Sequence, residues 1–124
     1  MNIVDSSGWL AYFADEPSAK HFQKCLNEPS SLIVPTVTIY EVFKVALRES
    51  SENEALQVVA AMQKGKVVDL TPSLAIAASK LSLGHNLPMA DSIILATARK
   101  HEATIWTLDS DFKNIKRVKY FPKK

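Results

Sequence analysis

A chain of 124 residues, 47% hydrophobic and 23% charged, has room for one globular domain, here expected to span 1–124, and not for two. Its single cysteine, Cys25, excludes a disulfide framework and a cysteine-built zinc site, and fits a reducing compartment. The net charge of +2 is too small to argue for nucleic-acid binding alone, no apolar run reaches membrane-spanning length, and MNIVDSSG lacks signal-peptide features, so the expected location is cytoplasmic.

Residues Asn2 to Asp5 read as a short apolar strand, followed at once by turn-capable Ser6, Ser7 and Gly8. A helix is expected from Ser7 to Ala14 and another from Pro17 to about Leu26. The run LIV at 32 to 34 reads as a second buried strand, and Pro35 and Thr36 punctuate the start of a long helix to about Glu49. A helix from Glu52 to Lys64 is expected to stop at Gly65, and VVDL at 67 to 70 to form a third strand. Pro72 opens a helix to Leu83 that Gly84 should end, and Pro88 starts the next, reaching His101. Thr104 to Leu108 gives a fourth strand, Ser110 to Ile115 a turn or short helix, and 118 to 121 a last strand. Short apolar strands alternating with helices indicate an α/β sandwich with a mostly parallel sheet. Ligands of such sheets bind beyond the carboxyl ends of the strands, where Asp5 and Asp109 should emerge.

Four acids stand in apolar surroundings. Asp5 closes NIVD, Glu41 interrupts TVTIYEVFKVAL, Asp91 opens ADSIILATA, and Asp109 ends TIWTLD. Each has an ordinary reading: Asp5 as an Asx turn, Asp91 as a helix-start acid, Asp109 and Asp111 as turn residues. Glu41 is harder to dismiss, because Val37 and Val45 flank it on an apolar stripe while Lys44 and Arg48 lie nearer solvent. At an effective dielectric of about 20, two unit charges roughly 5 Å apart repel by ~3 kcal/mol. A converging cluster therefore destabilises the fold or stays partly protonated unless a cation balances it, and all-oxygen ligands select Mg²⁺ or Mn²⁺. Lys113, Lys116, Arg117, Lys119, Lys123 and Lys124, with Lys44, Arg48, Arg99 and Lys100, are singly solvated surface and together could steer a phosphate backbone. His21, His85 and His101 lack metal-ligand spacing, Cys25 reads as a small buried hydrophobe, and three glycines leave no phosphate loop.

VDSSGWLAYF at 4 to 13, TIYEV at 38 to 42, LPMADSIILATA at 87 to 98 and TLDSDF at 107 to 112 together resemble the PIN-domain nucleases, most closely the VapC-type ribonuclease toxins of toxin–antitoxin pairs. The resemblance implies a PIN-like three-layer α/β/α sandwich and Mg²⁺-dependent hydrolysis of RNA, with Mn²⁺ as a substitute. It implies Asp5, Glu41, Asp91 and Asp109 as the catalytic acids, and Asp5, Asp91 and Asp109 as metal ligands. Ser7 and Thr107 would orient a carboxylate or water, and Asp111 is an accessory acid. A cognate antitoxin and a homodimer are implied too. Trp9, Tyr12, Phe13, Phe22 and Tyr40 could supply such a surface, with core packing the ordinary fate for most of them.

Haloacid-dehalogenase-like phosphatases want an acid two residues after the first-strand Asp, and that position is Ser7. A two-component receiver wants paired acids there and a central-strand phosphoacceptor; Asp5 stands alone, and Asp69 is poorly placed before Leu70 and Pro72. The alternative that survives is a module on the same fold that binds RNA or a protein without cutting.

Overall fold

The computed structural model describes residues 1–123; Lys124, counted above in the basic C-terminal stretch, lies outside the described residues. Strands and helices follow one another as β1 (Asn2–Val4), α1 (Ser6–Phe13), α2 (Gln23–Leu26), β2 (Ile33–Pro35), α3 (Thr36–Glu49), α4 (Glu52–Met62), β3 (Lys66–Val68), α5 (Pro72–His85), α6 (Met89–Lys100), β4 (Thr104–Thr107) and β5 (Val118–Tyr120). Short 3₁₀ turns occupy Pro17–His21, Pro29–Ser31 and Ser110–Phe112.

All strand pairs are parallel. β4 lies between β1 and β5, β3 pairs with β2, and an isolated bridge between Asn2 and Leu32 sets β2 beside β1. The order across the molecule is therefore β3-β2-β1-β4-β5. The chain works outward from β1 through β2 and β3, then returns to the other side of β1 with β4. In open parallel sheets such a reversal marks the carboxyl ends of the central strands as the place where ligands bind.

The core has two faces because a strand sends successive side chains to opposite sides. Val4 joins Trp9, Phe22, Val34, Val42 and Met62 in one cluster, while Ile3 joins Ile33, Ile94, Leu95, Ile105 and Phe112 in the other. Helix α6 is buried at every position from Asp91 to Ala98, as its charge-free sequence requires. Gly8 lets α1 close on β1: a Cβ there would sit 2.5 Å from Val4 Cγ1 and 3.0 Å from the Phe22 ring.

Several expected boundaries shift. The single helix expected over Pro17 to Leu26 divides at Phe22 into a 3₁₀ turn and α2, pinned by the fully buried Phe22 ring. Helix α4 ends at Met62 with Gln63 as its C-cap, so Gly65 does not stop it. Gly65 serves close approach instead, since a Cβ there would stand 3.0 Å from the Leu32 carbonyl oxygen. Gly84 does not end α5 either. The helix runs through His85, and Asn86 takes the left-handed conformation at φ 55°, a role Asn fills because its short polar side chain tolerates it. β3 covers only Lys66–Val68; as the edge strand beyond β2 it is largely exposed, and Asp69 and Leu70 lie outside it.

Candidate metal centre at the carboxyl edge of the sheet

Asp5 follows β1 directly, is 2% exposed, and caps α1 by accepting the Gly8 N–H at 3.2 Å. The Ser7 hydroxyl donates to Asp5 Oδ1 at 2.6 Å and the Thr107 hydroxyl to Oδ2 at 2.6 Å. Those hydroxyls are fixed in turn, because Ser7 Oγ accepts the Leu108 N–H at 3.0 Å and Thr107 Oγ1 accepts the Asp109 N–H at 2.8 Å. With their acceptor sides occupied by backbone, both protons point at Asp5. A carboxylate offers about four lone-pair sites; Ser7 and Gly8 fill those of Oδ1 and Thr107 fills one of Oδ2. The remaining Oδ2 site is free for a cation. Burial pushes the Asp5 carboxyl above its ordinary value; the hydroxyl and Gly8 bonds pull against that, and Asp109 adds to it.

Glu41 projects from α3, half-buried, with Oε1 shut off from solvent and lacking any hydrogen-bond partner. Burial raises its pKa, opposed by the nearby Ser6 hydroxyl and reinforced by the charges of Asp5 and Asp109. Asp91 lies in the first turn of α6, 8% exposed. Its carboxyl is pushed up to about 8 by burial first, then by the charge of Asp109 and a hydrogen bond shared with it, then by Asp5 and Glu41. Asp91 therefore gives up its proton far less readily than a solvated aspartate, and a hydrogen bond ties it to Asp109. Asp109 also caps the 3₁₀ turn that follows, accepting the Asp111 N–H at 2.9 Å.

The four acids expected from sequence thus act on one another electrostatically. One carboxyl oxygen each of Asp91, Asp109 and Asp111 lies within 4.8 Å of the others, so Asp111, expected only as an accessory, stands with two of the expected acids, while Asp5 and Glu41 are outside that group. Ordinary structural roles coexist with this one: Asp5 and Asp109 both cap, whereas α6 has Pro88 at its N-cap and no side-chain cap bond. Ser6 was missed by the sequence reading; its adjacency to Asp5 and Ser7 was the available signal.

Nothing basic compensates the cluster. Among the described residues the only ion pair is the exposed Arg48–Glu49. A hard divalent cation fits this donor set, which is all oxygen, carries a raised Asp91 carboxyl that a cation would hold ionised, and leaves Glu41 Oε1 unpaired. Elsewhere the structure agrees with the plain readings. Cys25 is buried, with its thiol pushed up by burial, and His85, though expected in a turn, is exposed at the last position of α5. Trp9 and Phe22 are core, while Phe13 and Tyr40 are 37% and 64% exposed. No helix among the described residues is long and apolar enough to cross a membrane.

A search of curated proteins gives no match. Among solved structures, one from a toxin–antitoxin complex of Klebsiella pneumoniae superposes with a TM-score of 0.83 at 22% identity, covering 99% of this chain and 100% of that one. A chain of the DNA-bound VapBC complex of Salmonella typhimurium gives 0.77 at 17% identity, covering 98% of each. VapC20 of Mycobacterium tuberculosis, a sarcin–ricin-loop-cleaving toxin, gives 0.75 at 18% identity, covering 90% of this chain and 92% of its own. At these identities the likeness establishes the fold. The PIN domain family matches residues 3–118, which hold all the acids described above, and the chain belongs to that family.

Proposed function

We propose that this chain, acting as one PIN domain over 1–124, is a Mg²⁺-dependent endoribonuclease and the toxin of a toxin–antitoxin pair. The observation that carries the reading is the cluster of uncompensated carboxyls at the carboxyl edge of a PIN fold, with the Asp91 carboxyl pushed up by burial and by the charge of Asp109. Asp5, Asp91 and Asp109 would hold one or two Mg²⁺ ions, with Asp111 within reach and Mn²⁺ able to substitute. Bound there, the ion supplies charge stabilisation for the phosphoryl group and lowers the pKa of the attacking water.

The protein's own groups do the rest. Ser7, Gly8 and Thr107 lock the Asp5 carboxylate in one orientation, so no reorganisation is needed when the substrate arrives. Glu41, raised by burial and unpaired at Oε1, is suited to accept the proton of the attacking water. Exposed Lys44, Arg48, Arg99, Lys113, Lys116, Arg117, Lys119 and Lys123 would meet the RNA backbone without reading its sequence.

The solved structures that resemble this chain include toxin–antitoxin complexes, which supports an antitoxin as partner. A groove of about 460 Å³ between α1, α3 and α4 runs past Ser7. Leu10, Ala11, Phe13, Val45 and Val58 line it, and it suits an apolar antitoxin segment. A homodimer in the cytoplasm completes the reading, with exposed Tyr40, Leu47, Ile76, Leu83 and Met89 as apolar surface for the contact.

The test is cleavage of a mixed small-RNA pool by purified protein in Mg²⁺ or Mn²⁺, beside EDTA and Asp5→Asn. The reading requires metal-dependent cutting that both controls abolish. Folded, antitoxin-free protein that cuts no RNA class would instead be a binding module on this fold.

A further inference from the structure

Two polar atoms on α3 are buried without partners: Thr38 Oγ1, on a residue 0% exposed, and Glu41 Oε1. One can only accept while the carboxylate is ionised, and the other has a proton to donate. A buried hydroxyl on a helix normally bonds a carbonyl of the preceding turn. Thr97 does so on α6, donating to the Ile93 carbonyl at 2.8 Å, as does Ser92 to Met89 at 2.7 Å. Thr38 does not, because it stands in the first turn of α3 and the residues three and four before it, Pro35 and Val34, belong to β2. The pattern T-x-x-E also forms capping boxes, but here the N-cap is Pro35 and Thr38 lies inside the helix, so neither side chain caps it.

Residues three apart share a helix face, with Cβ atoms roughly 5–6 Å apart. A long helical side chain leans back over the preceding turn, which brings the Glu41 carboxylate toward Thr38. We propose that Thr38 is a positioning residue: its hydroxyl, which makes no direct bond to Glu41, reaches that carboxylate through one bridging water and holds it toward the site, as Ser7 and Thr107 hold Asp5 directly. The catalytic meaning of that contact rests on the nuclease reading above; the contact itself does not.

The experiment is a double-mutant cycle of Thr38→Val with Glu41→Leu, melted in EDTA, with Thr38→Ser as the variant that keeps the hydroxyl. A contact predicts that Thr38→Val lowers the melting temperature by about 3–6 °C, that Thr38→Ser restores it, and that Thr38→Val costs nothing in the Glu41→Leu background. A hydroxyl that is simply unpaired predicts a rise in melting temperature in both backgrounds, and that result overturns the proposal. Thr38→Ala serves the same cycle should valine not fold. Cleavage supplies the second readout: kcat falls roughly tenfold at unchanged KM in Thr38→Val and recovers in Thr38→Ser. Wild-type protein that cuts no RNA would sink the nuclease reading and leave the melting cycle to decide the contact.

Discussion

Asp5 shows how two hydroxyls and one amide can fix the orientation of a carboxyl buried at 2% exposure. Thr107 is the hinge of that arrangement, since it donates to Asp5 Oδ2 and accepts the Asp109 N–H. Thr107→Val keeps the shape and strands both partners, one of them a carboxylate. Leaving such groups unmatched costs about 2–4 kcal/mol, so urea denaturation should show that loss, and Thr107→Ser should recover most of it. Cleavage should fall in the valine variant as Asp5 loses its fixed orientation. Ser7 and Thr107 are legible in the sequence only through the family resemblance, which implies a hydroxyl lining the site at each position. Thr38 is not: a threonine on an apolar helix stripe looks like any β-branched filler until its hydroxyl is found without a partner.

Two of the three glycines act in opposite senses, although all three look alike in sequence. Gly8→Ala would drive a methyl against Val4 Cγ1 and the Phe22 ring, where α1 seats on β1 and carries Ser7 to Asp5. Overpacking of this kind costs about 1–3 kcal/mol, so chemical denaturation should show a less stable protein. Gly84→Ala meets nothing within 4 Å, lies inside α5, and should stabilise by up to about 1 kcal/mol through helix propensity alone. Glycine commonly ends helices, so Gly84 looks like a stop in sequence; Asn86, two residues on, takes that place. The alternation of strands and helices, the parallel sheet and the strand-end positions of Asp5 and Asp109 were legible, because periodicity and burial encode them. The break at Phe22 and the short β3 were not, since both depend on what lies across the sheet rather than on neighbours in sequence.

At the scale of the whole molecule, the acidic edge trades fold stability for a cation site. Asp91 titrates near 8 in the folded protein against an ordinary 3.8, and burial raises Asp5 and Glu41 in the same direction. Between those two values the folded state holds a proton that the unfolded chain has released. Stability from this source is complete below the lower value and is lost as pH rises through the upper one. Metal-free protein should therefore melt at progressively lower temperature from about pH 5 to about pH 8. His101, whose imidazole is pushed below its ordinary value by burial and by Lys66 and Lys100, acts in the opposite sense over the acid part of that range. Asp91→Asn is the control: it removes the Asp91 share of the fall and leaves the contributions of Asp5, Glu41 and His101. On the proposed reading millimolar Mg²⁺ would displace that proton, so it should raise the melting temperature most at the alkaline end and little at the acid end. Melting curves in EDTA and in Mg²⁺ that stay parallel across the range would mean that no cation binds among these carboxyls.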